Sequence, residues 1–341
     1  MIAAATECAE AHDRPELRGP DPEDVALLVA SRASGRLVHA CFGELSRFLH
    51  AGDLLVVNTS ATLPAAVPAW MDGREVELHL STPAPDGRLA HDWVVELRTL
   101  ARTPLPAPAM GTRLELPGGA TAELREPYLG SGRLSVARLS LGQPVEAYLR
   151  RHGHPIRYRH TEVDLPIDAY QTVFAQEPGS AEMPSASRPF TAELVTELVA
   201  RGILVAPITL HCGVSSLEAG EQPYPERYRV PSETAALANQ VRWRGGRVIA
   251  VGTTVIRALE TVADSAGVLR AGEGLTRLVV TPERGMRAVD GLITGWHEPE
   301  SSHLRLLEAA AGPELLRRSY AAARAHGYRF HEFGDSHLIL P

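Results

Sequence analysis

Four stretches of the chain carry residues able to do chemistry. In "ITLHCG" (208–213) an imidazole, His211, adjoins a thiol, Cys212, a pairing that could make an activated nucleophile. At the end of an extended strand, however, neighbouring side chains point to opposite faces, so Cys212 reads as a small buried residue and His211 faces the other way. In "TGWHEPESSH" (294–303) a histidine at a strand end precedes a proline and two serines, gathering His297, Glu298, Ser301 and Ser302 around one loop. A loop at the edge of an open α/β sheet either lines a ligand crevice or caps the helix that follows, and the spacing supports both. In "FGDSHLIL" (333–340) Asp335 follows a glycine before the last strand, the usual place of a turn aspartate. His152, His154 and His160 have metal-ligand residue types but no matching Cys or carboxylate spacing, so they read as a solvated loop.

The fourth stretch is "GGRVIAVGTTVIRALE" (245–260). Val248, Ile249, Ala250 and Val251 form an unbroken apolar run, as in a strand covered on both faces. Val255, Ile256, Leu259 and Val262 then recur at helical spacing, so the chain turns from strand to helix at Gly252-Thr253-Thr254. A glycine at such a corner lets a ligand approach the unpaired N–H groups of the helix start; the same corner also fits a buried strand with Thr253 or Thr254 capping a helix.

The elements that must position these residues fall into two textures. "VALLVA", "GRLVHACF" and "GDLLVVN" read as the first strands. Between about 64 and 142, alternating runs such as "REVELHL", "WVVELR", "TRLELP", "TAELRE" and "RLSVARLS" are broken by Gly and Pro, which suggests a small antiparallel barrel or sandwich. From about 144 onward strands and helices alternate: "TAELVTELVARG" starts at a capping threonine, "SETAALANQVRWRGG" is a second capped helix, and "TRLVVTP" and "GLITGWH" read as strands. The fold class is therefore α/β with two domains. The main domain takes 1–63 and 143–341, with 1–20 as a mobile or loosely packed arm, and the β-rich insertion takes 64–142.

A chain of 341 residues has ample material for a core, and a formal charge of −7 gives it no global attraction to nucleic acid, although a local basic face is compatible with it. Three cysteines, Cys8, Cys41 and Cys212, without metal spacing suit a reducing compartment. No run approaches the roughly 18 apolar residues of a membrane span, and the start of the chain lacks a signal-peptide pattern, so the expectation is a cytoplasmic protein.

Taken in order, "GDLLVVN", "DAYQTVFA", "GSAEMPSASRPFT", "ITLHCG", "GGRVIAVGTTVIRALE", "VDGLITGWHEPESS" and "YRFHEFGDSHLI" resemble the S-adenosylmethionine:tRNA ribosyltransferase-isomerase family of queuosine biosynthesis. The resemblance implies an α/β domain carrying an inserted small β-barrel. It implies transfer of the ribosyl portion of S-adenosylmethionine, a co-substrate, to the aminomethyl group of a 7-deazaguanine base in tRNA, with loss of adenine and methionine and without a metal. By position it implies acid–base roles for His211, His297 and Asp335. Contacts to S-adenosylmethionine would come from Gly252, Thr253, Thr254, Arg257, Gly213, Pro184, Phe190 and Ser301, and contacts to the acceptor from Tyr170, Gln171, Asn58 and Glu226. A monomer is expected.

The chain also departs from the family pattern. In "MPSASRPF" Pro184, Ala186 and Phe190 match, but a glycine, a leucine and a histidine are replaced by Ser187, Arg188 and Pro189; elsewhere two arginines are replaced by Ala61 and Ala66. Fewer cations for phosphate leave two alternatives beside the tRNA reading: the same chemistry on a small-molecule acceptor, or a non-catalytic nucleotide-binding relative.

Overall fold

The computed structural model describes residues 22–85, 91–158, 161, 163–214, 223–297 and 303–341; the expected arm at 1–20, His160, Glu298, Ser301 and Ser302 lie outside the described residues. Strands β1 (Ala26–Ser31), β2 (Leu37–Cys41) and β3 (Leu54–Asn58) come first, followed by the short β4 (Ser60–Thr62). The next six, β5 (Ala66–Met71), β6 (Arg74–Pro83), β7 (Asp92–Arg98), β8 (Arg113–Leu116), β9 (Ala120–Pro127) and β10 (Leu134–Ser140), close into an antiparallel barrel in the order β10-β7-β6-β5-β8-β9. Every second residue fills its interior, among them Val76, Leu78 and Leu80 of β6 and Leu114 and Leu116 of β8, which is the alternation visible in the sequence.

Helix α1 (Val145–His152) and strand β11 (Glu177–Ser180) follow the barrel. Then come α2 (Ala192–Ala200), β12 (Leu204–Leu210), β13 (Glu226–Val230), α3 (Ser232–Trp243), β14 (Val248–Val251), α4 (Thr253–Val262), β15 (Gly272–Thr276), β16 (Gly291–Gly295), α5 (His303–Ala311), α6 (Pro313–Ala325) and β17 (Ser336–Leu340). Nine strands form one sheet in the order β15-β13-β12-β3-β14-β16-β17-β1-β2. Its centre, β12-β3-β14-β16, is parallel, and β17 runs antiparallel to β16. Leu54, Val56, Val248 and Ala250 enter the core under α3 to α6, while Leu55, Val57, Ile249 and Val251 enter the core shared with α2 and Phe42. Burial on both faces explains why these strands read as unbroken apolar runs.

The barrel sits where β12 ends. The Val214 N–H donates to Ser81 Oγ of β6 at 2.9 Å, Ala66 of β5 and His154 exchange backbone hydrogen bonds at 2.9 and 3.0 Å, and Arg102 donates to the carbonyls of Tyr158 and Thr161, both at 3.2 Å. Strands β4 and β11 pair in parallel as a separate ladder, a long-range pairing with no local sequence signal.

Three local expectations change. "TRLVVTP" is strand only to Thr276, because the Thr276 and Leu278 carbonyls accept from the Arg257 guanidinium instead of a neighbouring strand. Neither Thr253 nor Thr254 caps α4; the cap is Gly252, at φ 102° and ψ 149°, a backbone state that only glycine adopts without strain. Ser232 is not a cap but the first residue of α3, its hydroxyl bonded to Glu233. Thr191 does cap α2, accepting from the Leu194 N–H at 3.2 Å.

Candidate active site

The carboxyl ends of the parallel strands share one edge of the sheet. Asn58 ends β3, His211 follows β12, Gly252 follows β14 and His297 lies two residues beyond β16. Because β17 is antiparallel to β16 and pairs Ser336 with Gly295, Asp335 arrives at the same edge. Three strand spacings separate His211 from His297 in strand order, about 14 Å. That is too far for a hydrogen bond between the two rings.

At the β12 end, His211 Nδ1 lies 2.7 Å from Ser60 Oγ, and Ser60 Oγ lies 2.6 Å from Ser180 Oγ. Ser180 Oγ in turn accepts the Cys212 N–H at 2.9 Å. The β4–β11 ladder brings the two serines together, and Gly179 lets the ring lie against the chain: a Cβ there would be 2.4 Å from Nδ1. With Nδ1 held by a hydroxyl, Nε2 makes no bond to protein among the described residues. Burial lowers the His211 pKa; Glu177 opposes this, while Arg227 and Arg229 add to it. Cys212 points into the main core, and burial pushes its thiol upward, so the two neighbours do face apart.

Beyond β16, the His297 and His303 rings stack at 4.6 Å and 12°. His297 Nε2 is 3.2 Å from Thr294 Oγ1, and its backbone N–H donates to the Tyr320 hydroxyl at 3.3 Å. Burial, followed by the neighbouring His303, holds His297 well below the usual histidine value, and burial with the Arg257 charge brings His303 down to about 4. Burial thus disfavours the charged form of His211, His297 and His303 alike.

Between them is the Gly252 corner. The Gly252 N–H donates to the Ile293 carbonyl at 2.8 Å, and the helix start carries no side-chain cap. The Ser185–Ser187 turn covers this corner: Ala186 Cβ lies 3.5 Å from where a Gly252 Cβ would be. A shallow cleft opens beside it, lined by Ser185, Arg188, Gly295, His331, Glu332 and Asp335 among others. Arg188 lies over the Phe333 ring at 4.9 Å.

Several residues expected to touch ligand have their polar atoms engaged inside the protein. Arg257 is buried; its guanidinium pairs with Glu226 and donates to the carbonyls of Leu278, Tyr224 and Thr276. Glu226 is buried in the same pair and also accepts the Gly213 N–H; burial raises its pKa against the lowering by Arg257. Asn58 is fully buried, bonded to both the N–H and the carbonyl of Leu210 and to the Ser60 N–H. Gln171 grips Thr62 in the same way at 2.9 and 3.0 Å. Tyr170 packs edge-on to Phe333 at 5.4 Å, and burial moves its hydroxyl up to about 12. Phe190 is packed between Phe42 and Phe174. Pro184 is buried, its carbonyl accepting the Ser187 N–H at 3.1 Å. The Asp335 carboxylate accepts the N–H groups of Ala26 and Arg329 at 3.0 and 2.8 Å, tying the edge to β1.

Of the loose histidine cluster, His152 lies against Tyr148 and His154 bonds its neighbour Pro155, so the two diverge. Ser60, Ser180 and His303 were not singled out in the sequence. His303 was within reach, closing the quoted "TGWHEPESSH" at the first residue of a helix; the serines depend on a pairing about 120 residues long-range.

Comparison with known proteins adds to this geometry. A family model described as queuosine biosynthesis protein matches residues 14–339. The S-adenosylmethionine:tRNA ribosyltransferase-isomerase of Moorella thermoacetica is 38% identical over 94% of both chains, and that of Symbiobacterium thermophilum is 39% identical over 94% of both. A crystal structure of the S-adenosylmethionine tRNA ribosyltransferase of Thermotoga maritima superposes with a TM-score of 0.52 at 27% identity, covering 97% of this chain and 96% of that one.

Proposed function

Because the chain belongs to the queuosine biosynthesis protein family, we propose that it is an S-adenosylmethionine-dependent ribosyltransferase-isomerase acting on tRNA in the cytoplasm. The reaction moves the ribosyl portion of S-adenosylmethionine to the aminomethyl group of a 7-deazaguanine base and releases adenine and methionine. The observation that carries this reading is the set of three imidazoles at the carboxyl edge of a parallel sheet, His211, His297 and His303, whose charged forms burial disfavours. A sulfonium cation must enter this space, and neutral imidazoles admit it where charged ones would repel it. A neutral ring with one nitrogen fixed by a hydroxyl is also a ready proton acceptor for the hydrogen that sulfur acidifies. His211, held by Ser60, is that acceptor, and His297 serves the departing adenine from the other side.

The uncapped start of α4 at Gly252 suits the carboxylate of the methionine portion, because the N–H groups of Thr253 and Thr254 and the positive end of the helix dipole favour an anion. Arg257 adds no unbalanced charge, since Glu226 pairs with it. Its role is to pin α4 against β13 and β15 so that the corner keeps its shape. No helix among the described residues is long and apolar enough to cross a membrane.

The test is incubation with S-adenosylmethionine and tRNA carrying the aminomethyl-deazaguanine base. Adenine and methionine should appear in equal amounts as ribosyl label enters the RNA. Absence of adenine release, while a ribosyltransferase-isomerase relative is active under the same conditions, overturns the reading.

A further inference from the structure

The edge of the sheet opposite the proposed active site carries a different chemistry. Helix α3 ends there in "VRWRGGR" (241–247), and Trp243, 85% exposed, is the most exposed large apolar side chain among the described residues. Tryptophan is seldom left in water without a use, because its ring buries large apolar area in any contact. Arg244 beside it is exposed, and its side chain makes no ion pair or hydrogen bond among the described residues. Arg287, also exposed, lies next to the Arg242 guanidinium at the same helix end: a Cβ at Gly267 would lie 2.3 Å from the Arg287 carbonyl and 2.8 Å from Arg242 Nη1. Arg32 donates to the Asp290 carbonyl at 2.9 Å, and Arg242 lies 3.6 Å from the Asp290 carboxylate. Arg247 pairs with the buried Asp53. The Glu260 carboxylate accepts the Arg287 backbone N–H at 2.8 Å and pairs with Arg284, and Asp264 accepts the Gly267 N–H through its carbonyl. Six guanidinium groups thus meet four carboxylates here, Asp53, Glu260, Asp264 and Asp290, on a chain whose net charge is −7.

We propose that Trp243, Arg244 and Arg287 form an RNA-docking surface, separate from the reaction site, on which an unstacked base of the tRNA substrate lies against the indole while the arginines meet phosphates. An exposed indole flanked by arginines is the pattern by which single-stranded nucleotides are held, since every base offers a π-face and guanidinium groups both stack and pair with phosphate. A second copy of the chain is a poorer occupant. A two-fold contact through this patch would set its arginines against those of the partner. The strands of the nine-stranded sheet are four to seven residues long, so its two edges lie on the order of 20 Å apart, and a folded RNA can touch both.

That the RNA is tRNA rests on the proposed function, so binding is measured apart from turnover. Intact protein is titrated into end-labelled precursor-containing tRNA at several salt concentrations, following the anisotropy of the RNA label, and adenine release is recorded separately. Trp243→Ala should weaken tRNA binding about ten- to a hundredfold. Arg244→Ala with Arg287→Ala should lower the slope of log affinity against log salt by about one to two units. Both variants should raise KM for tRNA, with kcat at saturating tRNA and the affinity for S-adenosylmethionine unchanged. Wild-type adenine release with unaltered tRNA affinity and salt slope in both variants overturns the docking surface and leaves the proposed function standing. No adenine release with wild type, but tRNA binding that Trp243→Ala weakens, overturns the function and leaves the surface. A concentration-dependent dimer that Trp243→Ala dissociates, with RNA affinity unchanged, assigns the patch to self-association and also overturns it.

Discussion

The two edges of the nine-stranded sheet use arginine in opposite ways. At the carboxyl edge Arg257 is buried, and its donors go to Glu226 and three carbonyl oxygens. At the amino edge Arg244 and Arg287 stand in water with no carboxylate partner among the described residues. The carboxyl edge also holds His211, His297 and His303, whose charged forms burial disfavours. The contrast teaches that a chain with a net charge of −7 does not spread its cations evenly. Charge is cancelled where a cationic substrate has to enter and left uncompensated where a polyanion can land.

The comparison breaks most severely at the carboxyl edge. His211→Gln keeps a polar side chain near Ser60 but removes the basic nitrogen; kcat for adenine release should fall about 10²- to 10⁴-fold with the fold intact by circular dichroism. If kcat is unchanged, His211 is not the proton acceptor. Next is Arg257→Leu, which leaves the Glu226 carboxylate buried without its partner and three carbonyls without a donor. Unfolding free energy from urea titration should drop by about 3–5 kcal/mol, and Arg257→Leu with Glu226→Leu should recover a large share of that loss. A double variant as unstable as the single one would show that the carbonyl bonds, not the paired charge, hold α4 in place.

How much of this was readable without coordinates follows from the range of each interaction. The inserted barrel and the buried parallel strands were legible because Val76, Leu78 and Leu80 alternate and Val248 to Val251 do not, and both patterns are local. The strand-end positions of His211 and His297 were legible for the same reason. What each polar side chain does there was not. Asn58 is committed to Leu210, 152 residues away, Gln171 to Thr62, 109 residues away, and Arg257 to a carboxylate and carbonyls on other elements. Only sheet order brings those partners together, so the part these side chains play in fixing the backbone of the edge has no local signal. Trp243 was visible in "VRWRGGR", but its exposure depends on which face of α3 meets the core.

The neutral histidines extend the contrast to pH. His337, on β17, is fully buried against Trp296 with neither ring nitrogen bonded, and burial takes it down to about 3. His303 stands at about 4. Both values lie below the ordinary 6.5, so below that pH the unfolded chain takes up protons that the native chain refuses. Stability is full above pH 6.5 and falls as pH drops toward 3–4, by about 1.4 kcal/mol per unit for a fully buried histidine. His337→Phe should remove one proton's share of that slope between pH 6 and 4, read from urea midpoints. An unchanged slope would mean that His337 is protonated in the folded state. Depressed His211 and His297 likewise predict an acid limb of kcat/KM below the usual histidine range.

The smallest effect lies at the other edge. Arg244→Ala and Arg287→Ala remove charges that contact water, so the urea midpoint should move by no more than about 0.5 kcal/mol equivalent, with or without salt. A loss comparable with that of Arg257→Leu would mean that these side chains are tied into the fold, and the two edges would no longer differ in kind. The reverse change sharpens the distinction further. Arg244→Glu should leave the midpoint in place while inverting the local charge, so that any fall in tRNA affinity is read against an unchanged fold. A residue that matters to a polyanion and not to stability is what an exposed, uncompensated cation has to be, because its free energy is realised only when a partner supplies the opposite charge.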